Sequence, residues 1–267
     1  MLAREPSRAR NERDPDRHQA LSFDDVGDAA GVPVVYLHGG GDSRLSRHPD
    51  DTVAEQLGVR LLAVDRCGPP VRGRTLLGFA AELLAHLDSL AVGRFVVVGW
   101  SAGGPHALAA AAAAPERVAR VGLVASMPVP DGLRAMPASI RTAMRLARVS
   151  PRLAAPGLER WGRSTTPATG AEATDVAYAR GRAESFRHGG RWLAHELAYL
   201  GRPWGFGLAD VRAPVALWWG TGDTVTPPSI AADFERRLPH PELHLVDGTH
   251  QLLFSRWREI LADAAQP

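Results

Sequence analysis

The chain has 267 residues, 45% hydrophobic and 22% charged, which fits a soluble globular protein with one large core and room for an insertion. Its 31 basic residues are all arginine and face 29 acidic ones, so a net charge of only +2 coexists with a pI of about 9.2. The arginines are scattered among Asp and Glu with no long basic stripe, which argues against a nucleic-acid partner. No run approaches the ~18 apolar residues of a membrane span, and a lone cysteine, Cys67, excludes an intramolecular disulfide or a cysteine metal cluster.

From the start, Met1–Arg17 is dominated by Arg, Glu, Asp and Pro and has no apolar core of a signal peptide, so the expected compartment is the cytoplasm. That stretch cannot bury enough apolar surface to order itself, and residues 1–20 are expected to be disordered. Short continuous apolar runs then predict buried parallel strands at Val34–Leu37, Leu61–Val64, Phe95–Val98 and Val121–Val124, with later ones at Val215–Trp219 and Leu243–Val246. Helical patterns fall at Asp50–Leu57, Leu76–Leu90, Gly104–Ala114, Ile230–Leu238 and Trp257–Ala264. This alternation predicts an α/β protein with a mostly parallel, doubly wound sheet. Residues 128–208 break the alternation with helical segments carrying Met136, Met144, Trp161, Tyr178, Phe186 and Trp192. They are expected to form a helical lid on a core made of 21–127 and 209–267, and those side chains individually suit the lid's own core.

Chemistry concentrates where strands end. Gly99-Trp100-Ser101-Ala102-Gly103 sits between a strand and a helix, the context in which a nucleophile is held on a sharp, strained turn with its hydroxyl exposed. Serine needs a base, and His250, in Asp247-Gly248-Thr249-His250, follows the last predicted strand and comes last in the order serine, acid, histidine. Asp223, in Trp219-Gly220-Thr221-Gly222-Asp223, follows another strand and is preferred over Asp247 as the acid that orients the imidazole. In Leu37-His38-Gly39-Gly40-Gly41-Asp42-Ser43 the glycines can aim an amide at a developing oxyanion. Gly40 is assigned as one donor and Ala102 as the other, and the loop lacks phosphate-loop or dinucleotide spacing. Trp100, Met136 and Trp161 are candidate substrate contacts. Cys67 is read as a small buried hydrophobe.

Together Val34-Val35-Tyr36-Leu37-His38-Gly39, Val64-Asp65-Arg66, Val98-Gly99-Trp100-Ser101-Ala102-Gly103-Gly104 and Trp219-Gly220-Thr221-Gly222-Asp223 resemble the α/β-hydrolase superfamily, in particular bacterial serine hydrolases with a helical lid. The resemblance runs from about Phe23 to Ile260. It implies a sheet of about eight strands, a Ser101–Asp223–His250 triad, and no metal or organic cofactor. Three stretches depart from it: residues 1–20 show no opening hairpin, Cys67-Gly68-Pro69-Pro70-Val71 replaces the usual Pro-Gly turn, and Gly40-Gly41-Asp42 stands where relatives often carry Thr-Pro or a bulky residue, giving room that could widen the oxyanion loop or loosen it. The expected activity is hydrolysis of an ester-like bond in a small, mostly apolar substrate through an acyl-enzyme. The alternatives are a lyase or cyclase of secondary metabolism, or a small-molecule receptor, on the same scaffold.

Overall fold

The six apolar runs all become strands, and each strand sends alternate side chains to opposite faces of one sheet. The computed structural model describes residues 21–67, 73–164 and 172–266, so the expected N-terminal tail lies outside the described residues. In chain order the elements are β1 (Phe23–Gly27), β2 (Val32–Leu37), α1 (Thr52–Gln56), β3 (Val59–Val64), α2 (Leu76–Ser89), β4 (Phe95–Trp100), α3 (Gly103–Ala113) and β5 (Val118–Val124). A 3₁₀ turn, Pro130–Ala135, and the helices α4 (Ala138–Val149), α5 (Pro151–Ser164), α6 (Glu172–Ser185) and α7 (Arg191–Leu200) follow. The chain closes with β6 (Val215–Gly220), α8 (Pro228–Arg237), β7 (Pro241–Val246), α9 (Leu252–Ser255) and α10 (Trp257–Ala264).

The strands lie in the order β1-β3-β2-β4-β5-β6-β7, and every pairing is parallel except that of β1 with β3. On one face Val35, Leu37, Val97, Leu123 and Leu217 meet Phe79 and Leu83 of α2, Leu108 of α3 and Phe234 of α8. On the other, Val34, Tyr36, Val96, Val98 and Val124 meet Val53 of α1 and Trp257, Ile260 and Leu261 of α10. Coverage on both faces is why the central strands read as unbroken apolar runs. Among the described residues no helix is long and apolar enough to cross a membrane.

Two edges differ from the sequence reading. The resemblance implied about eight strands, whereas the described residues form seven. The first of them, β1, was not foreseen: Phe-Asp-Asp-Val-Gly holds two apolar residues and becomes a strand by pairing with β3, where Arg60 donates to Asp25 at 2.7 Å. At the opposite edge β7 is only half-buried, so its predicted apolar run marks a strand with one open flank. Between β5 and β6, α4, α5 and α7 bury Met144, Ala154, Leu158, Trp192 and Leu197 in the same apolar cluster as the face covered by α2 and α3.

Candidate active site

The site begins at the turn from β4 into α3. Ser101 has φ = 52°, a left-handed conformation that costs a non-glycine residue about 1–3 kcal/mol and persists only where the surroundings enforce it. Here the enforcement is visible: the Ser101 amide donates to Val124 O at 2.9 Å, and its carbonyl accepts from Met127 N at 2.9 Å. The turn also needs room for backbone against backbone. A Cβ on Gly103 would lie 2.1 Å from the Leu37 carbonyl oxygen, and one on Gly104 would lie 1.9 Å from Ser126 Oγ. The glycines after Ser101 thus let α3 start directly behind it.

The sheet brings the three sequence-assigned residues together. Ser101 Oγ lies 3.1 Å from His250 Nε2, and His250 Nδ1 lies 2.9 Å from Asp223 Oδ2. The Asp223 side chain is fully buried, while the competing Asp247 is exposed. Burial alone would raise the Asp223 carboxyl. The bond from His250, the histidine's charge and the Thr226 donors outweigh it and hold the carboxyl below its ordinary value. It is therefore an anion placed to accept the imidazole N–H. Neither the acid nor the base is anchored by itself, since Trp219 Nε1 donates to Thr226 O at 2.8 Å and Trp100 Nε1 to His250 O at 3.0 Å.

Thr226 was missed in the sequence. Its amide and that of Val225 donate to Asp223 Oδ1 at 2.9 and 2.8 Å, and its hydroxyl lies 2.8 Å from Oδ2 and 3.0 Å from Ala125 O. An aspartate followed three residues later by threonine is an Asx-turn signal that could have revealed it.

Gly40 and Ala102 also meet. A Cβ on Gly40 would be 3.3 Å from the Ala102 Cβ, and neither amide N–H donates to an acceptor among the described residues. The glycine loop is braced from below. His38 Nδ1–H donates to Gly39 O at 2.8 Å, and its Nε2 accepts from Arg66 N at 3.0 Å. Burial and the nearby Arg66 charge push the His38 pKa well down, so this imidazole is neutral, as that bonding requires. Arg66 also donates to His38 O, to Gly39 O at 3.2 Å and to Glu196 of α7 at 2.9 Å. His106 of α3 bonds Ala102 O at 2.8 Å and the Tyr199 hydroxyl at 2.9 Å. No sequence pattern marks Arg66–Glu196 or His106–Tyr199, because each joins the segment after β3 or α3 to the inserted helices.

The three candidate substrate contacts fare differently. Trp100 is 1% exposed, wedged against Tyr178, Phe254 and the His250 ring, so it is a packing residue under the site rather than a substrate contact. Met136 is 3% exposed within the main core and is likewise corrected to a packing residue, since it has no face left for a ligand. Trp161 is 45% exposed and reaches the glycine loop, where a Cβ on Gly41 would sit 3.0 Å from its ring.

Cys67 is packed against the core, and burial raises its thiol pKa far above the ordinary range, as a small hydrophobe requires. Two groupings of potential metal ligands occur among the described residues, His38/Asp65/Cys67 and Glu242/His244/Asp263. In both, the carboxylates already take arginine: Arg44 on Asp65, and Arg120 on Glu242 and Asp263.

Solved structures with the same architecture include a thermophilic esterase from Thermogutta terrifontis, 22% identical over 92% of this chain and 94% of that one, with a TM-score of 0.69. A bromoperoxidase from Bacillus anthracis is 19% identical over 91% and 92% with a TM-score of 0.70. An enol-lactonase from Burkholderia xenovorans is 18% identical over 91% and 95% with a TM-score of 0.71. At these identities the likeness is one of fold. Comparison with curated protein sequences gives no match. Residues 32–256, from β2 to the start of the last helices, match the family described as alpha/beta hydrolase fold. A match over that span, on a sheet with this strand order, means that the chain belongs to the alpha/beta hydrolase family.

Proposed function

We propose that the protein is a serine hydrolase that cleaves an ester-like bond (ester, lactone or thioester) in a small, mostly apolar substrate through an acyl-enzyme. The observation that carries this reading is the unbroken hydrogen-bond chain from Ser101 through His250 to Asp223, at 3.1 and 2.9 Å. His250 Nε2 takes the Ser101 proton as Oγ attacks the carbonyl carbon, and Asp223 stabilises the imidazolium formed. The Gly40 and Ala102 amides, free of other acceptors among the described residues, receive the oxyanion. His250 returns the proton to the departing group. It then takes one from water, which attacks the acyl carbon and releases the acid and Ser101. Residues 128–208 act as the lid, and Trp161, exposed beside the glycine loop, is its substrate contact.

The test is a fluorophosphonate probe together with a panel of short-chain p-nitrophenyl esters, thioesters and lactones, run on wild type and Ser101→Ala. The expected result is labelling and turnover in the wild type and neither in the variant. A wild type that is folded yet neither labelled nor active on any of the panel would sink the reading.

A further inference from the structure

A cavity of about 390 Å³ lies on the inserted helices, between the 3₁₀ turn, α4 and the end of α7. Four arginines line it: Arg134 of the turn and Arg141, Arg145 and Arg148 of α4. The three on α4 are spaced four and three residues apart and lie on the helical face that also carries the buried Met144; Arg141 is half-buried, and Arg145 and Arg148 are exposed. Like charges at this spacing repel one another. The one acidic residue in the lining, Asp131, is already held by Arg237 of α8 at 3.1 and 3.3 Å. Arg141 donates to the carbonyls of Arg134 and Met136 at 3.0 and 2.7 Å, which ties α4 to the turn. The guanidinium groups of Arg134, Arg145 and Arg148 make neither a hydrogen bond nor an ion pair among the described residues. The Arg148 stem lies against the end of α7, where a Cβ on Gly201 would be 3.1 Å from Arg148 Cδ.

We infer that this cavity is a binding site for a phosphorylated ligand. The guanidinium fork matches phosphate oxygens two at a time, and three unpaired forks around one cavity exceed what a single carboxylate can use. The cavity is large enough to admit a diphosphate group. The same chemistry is offered by a free phosphorylated metabolite and by an anionic lipid headgroup. Leu146, Val149 and Leu153, all exposed, stand at the adjoining corner of α4 and α5 and give the second source an apolar neighbour. The site is independent of the triad and of the hydrolase reading.

The experiment is thermal unfolding of the full chain with 10 mM pyrophosphate against chloride of equal ionic strength. Wild type is compared with Arg145→Ala/Arg148→Ala and with Arg160→Ala/Arg180→Ala, which removes the same charge from exposed positions outside the cavity. We expect pyrophosphate to raise the wild-type Tm by about 5 °C, to do the same for the Arg160/Arg180 variant, and to leave the Arg145/Arg148 variant unmoved. Without ligand, the Arg145/Arg148 variant should melt no lower than wild type, because it loses repulsion and no bond. Any of three results would overturn the proposal: no shift in the wild type, equal loss of the shift in both variants, or a ligand-free Tm several degrees lower in the Arg145/Arg148 variant. If the double variant does not fold, Arg145→Gln alone carries the comparison. Sedimentation with phosphatidylglycerol-containing vesicles separates the sources. Vesicle binding that pyrophosphate competes away supports a lipid headgroup, and a pyrophosphate shift without vesicle binding supports a free metabolite.

Discussion

Arg66 and Glu196, 130 positions apart, form a 2.9 Å ion pair in which the arginine side chain is completely buried and the glutamate is 3% exposed. The same guanidinium holds the carbonyls of His38 and Gly39, so one buried cation joins the glycine loop to α7. Glu196 Oε2 has no hydrogen-bond partner, which makes the carboxylate dependent on this arginine for its counter-charge. Removing one member leaves the other charged and buried, a loss of about 3–5 kcal/mol. Arg66→Met should therefore lower stability by that amount, and Arg66→Met/Glu196→Leu should recover much of it. Denaturant titrations of Arg66→Met, Glu196→Leu and the double variant decide this; additive losses would mean that the pair is not coupled.

Asp223→Asn keeps the shape of the acid but cannot hold the imidazole tautomer, and ester turnover should fall by about 10³–10⁴ in kcat with KM little changed. The carboxyl is held low in the folded state, so its contribution to stability is present above the unfolded value and is lost as pH falls through that range. The wild type should accordingly lose more stability than Asp223→Asn between pH 5 and 3. Parallel melts of the two proteins across that window give the answer.

Thr226→Val removes a hydroxyl 2.8 Å from Asp223 and 3.0 Å from Ala125 O while keeping the side-chain shape. It should reduce kcat about tenfold, and Thr226→Ser should restore it. Equal damage from both substitutions would point to packing instead.

Asp42 shows the opposite electrostatics. Burial pushes its carboxyl up to about 7, against the pull of Arg182 and Arg66. Between the unfolded value and 7 the folded protein holds a proton that the unfolded chain has released. Stability from this group therefore falls as pH rises through that window. Asp42→Asn deletes the titration, so its Tm should gain on the wild-type Tm between about pH 4 and 7. A difference that stays constant with pH would contradict the assignment.

Gly103→Ala drives a methyl to 2.1 Å from a main-chain oxygen that cannot rotate away. A loss of about 3 kcal/mol or more is expected, with lowered kcat as the Ser101 turn shifts. Gly157→Ala, where an added Cβ meets nothing within 4 Å, is the control and should cost little.

The alternation of the six parallel strands with helices, the turn at Ser101 and the strand-end positions of Asp223 and His250 were legible in the chain. Each rests on local chemistry: β-branched runs bounded by glycine, then a polar residue at a strand's end. What could not be read was anything made by residues distant in sequence. Phe23–Gly27 is a strand because β3 lies beside it, Trp100 is a floor rather than a contact because Tyr178 and Phe254 close over it, and Arg66 is a brace because Glu196 of α7 arrives there. The arginines of α4 looked scattered in the chain and share one cavity in the fold. Periodicity and turn chemistry act over a few residues and are written in order along the chain. Burial, pairing and the meeting of charges depend on which surfaces the packed helices bring together, and only the tertiary structure decides that.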